Sequence, residues 1–372
     1  FAISLRKEGV NVLGLGSESY DNMDEELKSS LTEYYKVDDM EDYDQLVKAC
    51  GYFTYKYGKI NNIESHNEYW LETDSRLRTD FNVEGFKVED MPCIKMKSRM
   101  KDVFVKAGVP VARGIIVPNI EVAETFIKKV GYPVCAKPDN GVGASNTYKI
   151  SNQGELEYFF RTKPDTEYFM EEFVTGEIHT FDGLVNKDGE VVYMNSFIFG
   201  KGVMETVNDG LDQFYHNQRN IPEDLISHGL SAVKEFGLRE RFFHIEFFRT
   251  EEGKLIALEI NVRPPGGLSL DMFNYASDID VYGLYAKIIS GKPLDSTSEI
   301  KYYCGYVGIK DNASFELVNS QDSVHEKFRD IIVHSGPIAS IFSAALGNYS
   351  YIIRSQDLEE LKEASKFILS RS

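Results

Sequence analysis

The sequence predicts a mixed α/β protein, with an open α/β unit at its start and an α+β arrangement in its middle. Three patterns predict it. Helical-period segments alternate with short apolar runs along most of the chain. Two long strand-like runs, 177–185 and 191–199, are joined by the turn Asn186-Lys187-Asp188-Gly189, and a second pair, 242–248 and 255–260, flanks another short turn. At 372 residues and 42% hydrophobic side chains, the chain can bury a sizeable core and should divide into two or three units.

In chain order, 1–16 reads as the end of a helix followed by an apolar strand, with Gly14-Leu15-Gly16 as a tight turn after it. The apolar spacing of 44–57 predicts a helix. This is a Rossmann-like α/β unit read as lacking its first strand; the chain begins at Phe1 rather than Met, so its N-terminus is read as incomplete. Polar residues Glu68, Glu72, Arg76 and Arg78 are expected on the solvated face of a helix. A boundary is placed near 86. The pattern from Lys97 (Met100, Val103, Phe104, Ala107) is helical and stops at Gly108. A helix (122–130), a strand (134–137), a glycine-rich loop (139–144), a strand (146–150), a helix (155–161) and a strand (168–171) follow. Helices at 225–236 and 281–289, a strand at 350–354 and a helix at 358–369 complete the series. The expected units are 1–85, 86–290 with a lid portion at about 112–175, and a small C-terminal subdomain 291–372.

Composition excludes several classes of function. A formal net charge of −18 argues against a nucleic-acid partner, whose phosphates need clustered Lys and Arg. No apolar run approaches the roughly 18 residues a membrane span requires. The four cysteines (Cys50, Cys93, Cys135, Cys304) form no CxxC pair, which suits packing roles in a reducing, cytoplasmic compartment.

Three segments carry chemistry. A symmetric turn at Glu252-Gly253 sets Glu246 opposite Glu259 and His244 opposite Asn261 across a hairpin, with Phe243, Ile245 and Phe247 on the other face. Opposed carboxylates repel, and with the Asn261 amide oxygen they offer an all-oxygen set suited to Mg²⁺ or Mn²⁺. A solvent-facing strand pair with each acid matched to a Lys or Arg fits the same pattern. Lys137 ends an apolar strand and precedes a loop containing Gly141 and Gly143, whose backbone N–H groups could close over phosphates; an ordinary turn fits as well. In 168–179, a strand runs through Glu171 and Glu172 into the apolar connector Phe173-Val174, able to read an adenine edge, and Glu177 and His179 share a face from which they could meet a ribose. A solvated strand end and a partly buried histidine are the plain alternatives.

Taken in order, these segments resemble the ATP-grasp family over about 86–290, with the preceding α/β unit that usually accompanies it. The resemblance implies Lys97 and Lys137 as phosphate-binding lysines, with Lys97 in Ile94-Lys95-Met96-Lys97 ahead of Ala107-Gly108-Val109-Pro110. It implies Glu171, Glu172, Phe173 and Val174 at adenine, Glu177 with His179 at the ribose, and Glu246, Glu259 and Asn261 as metal ligands. Arg263, in Asn261-Val262-Arg263-Pro264-Pro265-Gly266-Gly267, matches the family arginine at the developing acyl phosphate, a sequence closer to the carboxylate-amine ligase and biotin carboxylase-like branch than to D-alanine ligases. His244 matches no family role.

The implied activity is an ATP- and Mg-dependent, ADP-forming ligase that activates a small-molecule carboxylate as an acyl phosphate for capture by an amine. A thiol, carboxylation or kinase variant and a non-catalytic nucleotide-binding module are the alternatives. Lys137 and Glu171 are expected at opposite ends of one ATP, Arg263 and Lys137 as catalytic groups, and a homodimer is allowed for. The stretch 199–219, with His216 and Arg219, could line a substrate pocket or form a surface loop.

Overall fold

The structure is a computed structural model that describes residues 1–141, 146–199, 211–294, 299–311 and 316–372. Among the described residues the strands form three sheets. The first pairs β1 (Leu13–Gly16) and β2 (Glu33–Lys36) in parallel, flanked by the helix Tyr43–Tyr57. Gly14 and Gly16 lie within β1 rather than in a turn after it. A Cβ on Gly16 would stand 2.8 Å from the Tyr34 hydroxyl, so the glycines leave room for that ring.

A four-stranded antiparallel sheet contains β3 (Gly114–Ile116), β4 (Val134–Pro138), β5 (Tyr148–Ile150) and β6 (Tyr168–Glu172), in the order β3-β6-β4-β5. The helices Ile120–Val130 and Gln153–Thr162 bury Ala123, Phe126, Ile127, Leu156 and Phe159 against it.

The third sheet has nine strands: β7 (Glu177–Val185), β8 (Val191–Asn195), β9 (Phe197–Phe199), β10 (Gln213–Asn217), β11 (Arg241–Arg249), β12 (Leu255–Asn261), β13 (Tyr303–Ile309), β14 (Ile332–Pro337) and β15 (Tyr349–Ser355). Its order is β12-β11-β7-β9-β10-β13-β15-β14, with β8 paired to β7. The expected single strand 191–199 is thus two, broken at Ser196, where Phe197 N–H donates to the Thr180 hydroxyl and Gln218 N–H to Ser196 O. Strands β13 to β15, from the stretch set apart as 291–372, extend this same sheet.

One face of the β11–β12 hairpin and of β7 packs Phe181, Phe243, Ile245, Phe247 and Ile260 against Met100, Val103 and Phe104 of the helix Lys97–Lys106 and against the helix Glu223–Glu235. At Gly229 of the latter helix an added Cβ would meet the Phe181 ring at 2.1 Å. Alanine favours helix over glycine by about 1 kcal/mol, yet Gly229→Ala is expected to destabilise by about 1–3 kcal/mol through overpacking. A lower urea midpoint reports this; an unchanged or higher midpoint would mean the ring moves aside freely.

Candidate functional site

The hairpin places Glu246 opposite Glu259 and His244 opposite Asn261. The register comes about differently from the symmetric turn. Thr250 and Lys254 close the loop, Gly253 takes φ +79°, and the pairing shifts by one between Glu246 and Phe247. This bulge decides the site. Leu255 and Ala257 face the core before it, and Ile260 and Val262 after it, so the change of phase turns Glu259 out of the core toward Glu246.

The helix Lys97–Lys106 runs along the outer edge of β12, where Ala257 N–H donates to Pro110 O at 2.8 Å, the Lys101 ammonium donates to Ala257 O at 2.8 Å and Ile260 N–H to Met100 Sδ at 3.3 Å. Its first turn is tied to the glycine-rich loop: Ser98 N–H and hydroxyl donate to the Asp139 carboxylate at 2.7 and 2.8 Å, and Lys97 N–H to Asp139 O at 2.9 Å. The Lys97 ammonium donates to Gly141 O at 2.7 Å. Gly143, also expected at the phosphates, lies outside the described residues.

Lys137 and Glu171, expected at opposite ends of one nucleotide, form an ion pair at 2.5 Å, because β4 and β6 are neighbours and place both side chains on one face. Burial alone would raise the Glu171 carboxyl, but the ammonium groups of Lys101 and Lys137 outweigh it and hold it down at about 2. Burial would lower Lys137, but the acids around it, Glu171 foremost with Cys135 and Glu259, together outweigh that and hold it up at about 12. Burial pulls Lys97 and Lys101 down, while the Glu259 charge favours the ammonium forms of all three lysines. Glu171 Oε2 accepts no hydrogen bond among the described residues; Lys101 Nζ stands 3.3 Å from it.

The remaining expected residues fall around this cluster. Glu172 is turned to Arg113, accepting from its backbone N–H at 2.8 Å and pairing with its guanidinium. Phe173 carries the Lys149 ammonium 4.3 Å from its ring centre, and Val174 follows in the connector. Glu177 is hydrogen-bonded to His179 at 2.9 Å, and burial lowers the His179 pKa. Arg263 Nε donates to Glu68 at 3.2 Å and its NH2 to Asn261 Oδ1 at 3.4 Å.

Several expectations are corrected. Glu68 precedes the helix Leu71–Asp80 and bridges Arg263 and Lys95, the latter at 2.9 Å. Arg78 is not on a solvated face: it is 2% exposed and bound to Ile63 O and Glu64. His216 is hydrogen-bonded to Asn217 O, and Arg219 to Gln356 O, at the β10 side of the sheet; 200–210 lies outside the described residues. Lys101 was not foreseen, although its position one turn after Lys97 puts the two on one helix face. Nothing in the sequence marks Asp182, a fully buried acid in a strand.

Among the described residues no three His, Cys, Asp or Glu side chains could hold a metal by themselves. The oxygen set offered by Glu246, Glu259 and Asn261 is two carboxylates and an amide, which leaves room for the waters and phosphate oxygens that magnesium retains. Two like charges facing one another fit a cation between them.

The chain matches the ATP-grasp domain family over residues 130–271. It is 26% identical over 242 residues to the L-arginine-specific L-amino acid ligase of Bacillus subtilis, covering 63% of this chain and 58% of that protein. It is 24% identical over 224 residues to the 2-oxoglutarate carboxylase small subunit of Hydrogenobacter thermophilus, covering 56% and 46%. The chain thus matches less than two thirds of the length of either relative. The crystal structure of the L-amino acid ligase from Bacillus licheniformis superposes with a TM-score of 0.75 at 16% identity, over 99% of this chain and 93% of that one, a likeness of fold. No helix among the described residues is long and apolar enough to cross a membrane.

Proposed function

We propose, from the match to the ATP-grasp domain family over residues 130–271, that the chain is an ADP-forming carboxylate-amine ligase acting on small molecules. One observation carries the reading. The opposed Glu246 and Glu259 share their surroundings with the buried Lys97, Lys101 and Lys137, and Arg263 follows two residues after Asn261. Such a site binds a polyanion and screens charge.

The chemistry follows from that. Attack of a carboxylate on a γ-phosphate brings anion against anion, so the protein contributes screening and alignment rather than a nucleophile. Lys97 and Lys137 are assigned to the phosphates, Glu171 Oε2 to the adenine amino group, and Glu177 with His179 to the ribose. Glu246, Glu259 and Asn261 would hold magnesium, which when bound neutralises phosphate charge. The planar guanidinium of Arg263 can bridge a phosphate oxygen and the substrate carboxylate with aligned donors. The acyl phosphate so formed has a good leaving group; an amine adds and phosphate departs, giving an amide, ADP and phosphate.

The names of the two L-amino acid ligases make amino acids the first class to test. In a pool of ¹⁸O-carboxylate-labelled amino acids with ATP and Mg²⁺, the expected products are ADP, a peptide, and phosphate carrying one label. AMP, or unlabelled phosphate, would refute the acyl phosphate, and a stable phosphorylated acceptor would make the protein a kinase.

A further inference from the structure

Both ring nitrogens of His244 face carboxylates. Nδ1 lies 2.5 Å from Asp182 Oδ1, and Nε2 lies 3.1 Å from Glu246 Oε1. Asp182 has no exposed surface, sits opposite His244 on the neighbouring strand β7, and accepts a hydrogen bond from the fully buried Thr180 hydroxyl at its other oxygen. A carboxylate only accepts, so a proton on Nε2 points to Glu246 Oε1 and one on Nδ1 to Asp182 Oδ1. The series Thr180, Asp182, His244 thus runs through the sheet and ends on the carboxylate that faces Glu259.

We propose that His244 is a positioning residue that sets the metal preference of the site, by engaging one oxygen of Glu246 and leaving the other to the ion. The inference rests on the reading of Glu246, Glu259 and Asn261 as metal ligands. Calcium takes roughly six to eight oxygens and often both oxygens of a carboxylate, whereas magnesium requires a near-regular octahedron and keeps several waters. With Oε1 occupied, Glu246 serves as a one-oxygen ligand, which suits magnesium and deprives calcium of an oxygen it would use. Asp182 and Thr180, both shielded from water, fix the ring from behind, so the constraint is part of the sheet rather than of a mobile side chain. Hydrogen-bonded partners of this kind orient metal ligands in general.

The test is calorimetric titration of MgCl₂ and of CaCl₂ into the protein with saturating ADP, against ADP-only blanks. In the double variant Asp182→Asn/His244→Leu, Mg²⁺ affinity is expected to fall about 10-fold or more with Ca²⁺ affinity falling less, so the Mg/Ca ratio drops. His244→Gln, which keeps a donor within reach of Oε1, should restore much of the ratio. A merely structural role would lower the melting temperature without moving the ratio, and a parent-like ratio in the Leu variant overturns the proposal. Should that variant not fold, Asp182→Asn alone decides: a lowered ratio supports the proposal, an unchanged one overturns it. Glu246→Gln separates the two layers of inference. Metal binding like the parent's in that variant would overturn the ligand assignment itself, whereas weakened binding there with an unmoved ratio in the His244 variants would overturn only the role of His244.

Discussion

Glu259→Gln is expected to reduce metal-dependent ATP turnover by roughly 10²–10³-fold, the range seen when one electrostatic stabiliser of a transition state is removed, without loss of fold. Glutamine fills the same volume and keeps an oxygen for the 3.5 Å contact with the Asn261 amide. What it removes is one of two negative charges directly opposed across the hairpin. Opposed like charges destabilise a strand pair, whereas the same carboxylate favours the ammonium forms of Lys97, Lys101 and Lys137, so the two effects offset and the melting temperature in the absence of metal should change little. Loss of activity together with an unimpaired melt separates a metal ligand from a structural acid. Activity like the parent's across a Mg²⁺ series would remove Glu259 from the ligand set.

The second large effect is on stability. Glu171 is 4% exposed and pairs with Lys137 at 2.5 Å, with Lys101 at 3.3 Å on its other oxygen. Glu171→Gln leaves two buried ammonium groups without their carboxylate, and breaking a buried pair from one side costs about 3–5 kcal/mol. The pH dependence has a definite sign. The carboxyl is held at about 2 in the folded protein against an ordinary value of 4.5. Its contribution is therefore present above about 4.5 and is lost as pH falls toward 2. The variant lacks this acid limb, so the gap between parent and variant is widest at neutral pH and narrows below 4.5. Urea unfolding at pH 7, 4.5 and 3 measures it. A gap that stays constant with pH would show that the lysines, rather than the carboxylate, carry the effect.

Much of the site is legible because its residues lie on regular elements of known period. Alternation alone put His244 and Glu246 on one face and Phe243, Ile245 and Phe247 on the other, and the apolar positions of 97–106 marked the buried side of that helix. The pairing of Glu246 with Glu259 also came out as expected, but through two departures that offset each other: a longer turn and a bulge. Had the strand kept strict alternation from Leu255, Glu259 would face the core beside Ala257. Strands β10 and β13 were not anticipated. Gly305 and Gly308 interrupt the side-chain alternation of β13; the space above Gly305 is filled by Phe214 and Leu361, contacts contributed from far along the chain.

By itself, then, the sequence determined which residue types stand together at short range: a hairpin presenting acids and an amide, a lysine ending a strand before a glycine loop, an acidic strand end leading into an apolar connector. Periodicity is a local property, and these are local facts. The tertiary structure decided which of these groups neutralise one another. The neighbouring of β4 and β6 made Lys137 and Glu171 a pair, the path of the helix Lys97–Lys106 along the β12 edge brought in Lys101, and the adjacency of β7 and β11 set Asp182 behind His244. Charge and burial act through space and not along the chain. The buried acid Asp182 and the bridging acid Glu68 acquire their partners only when segments 62 and 195 residues apart in sequence meet.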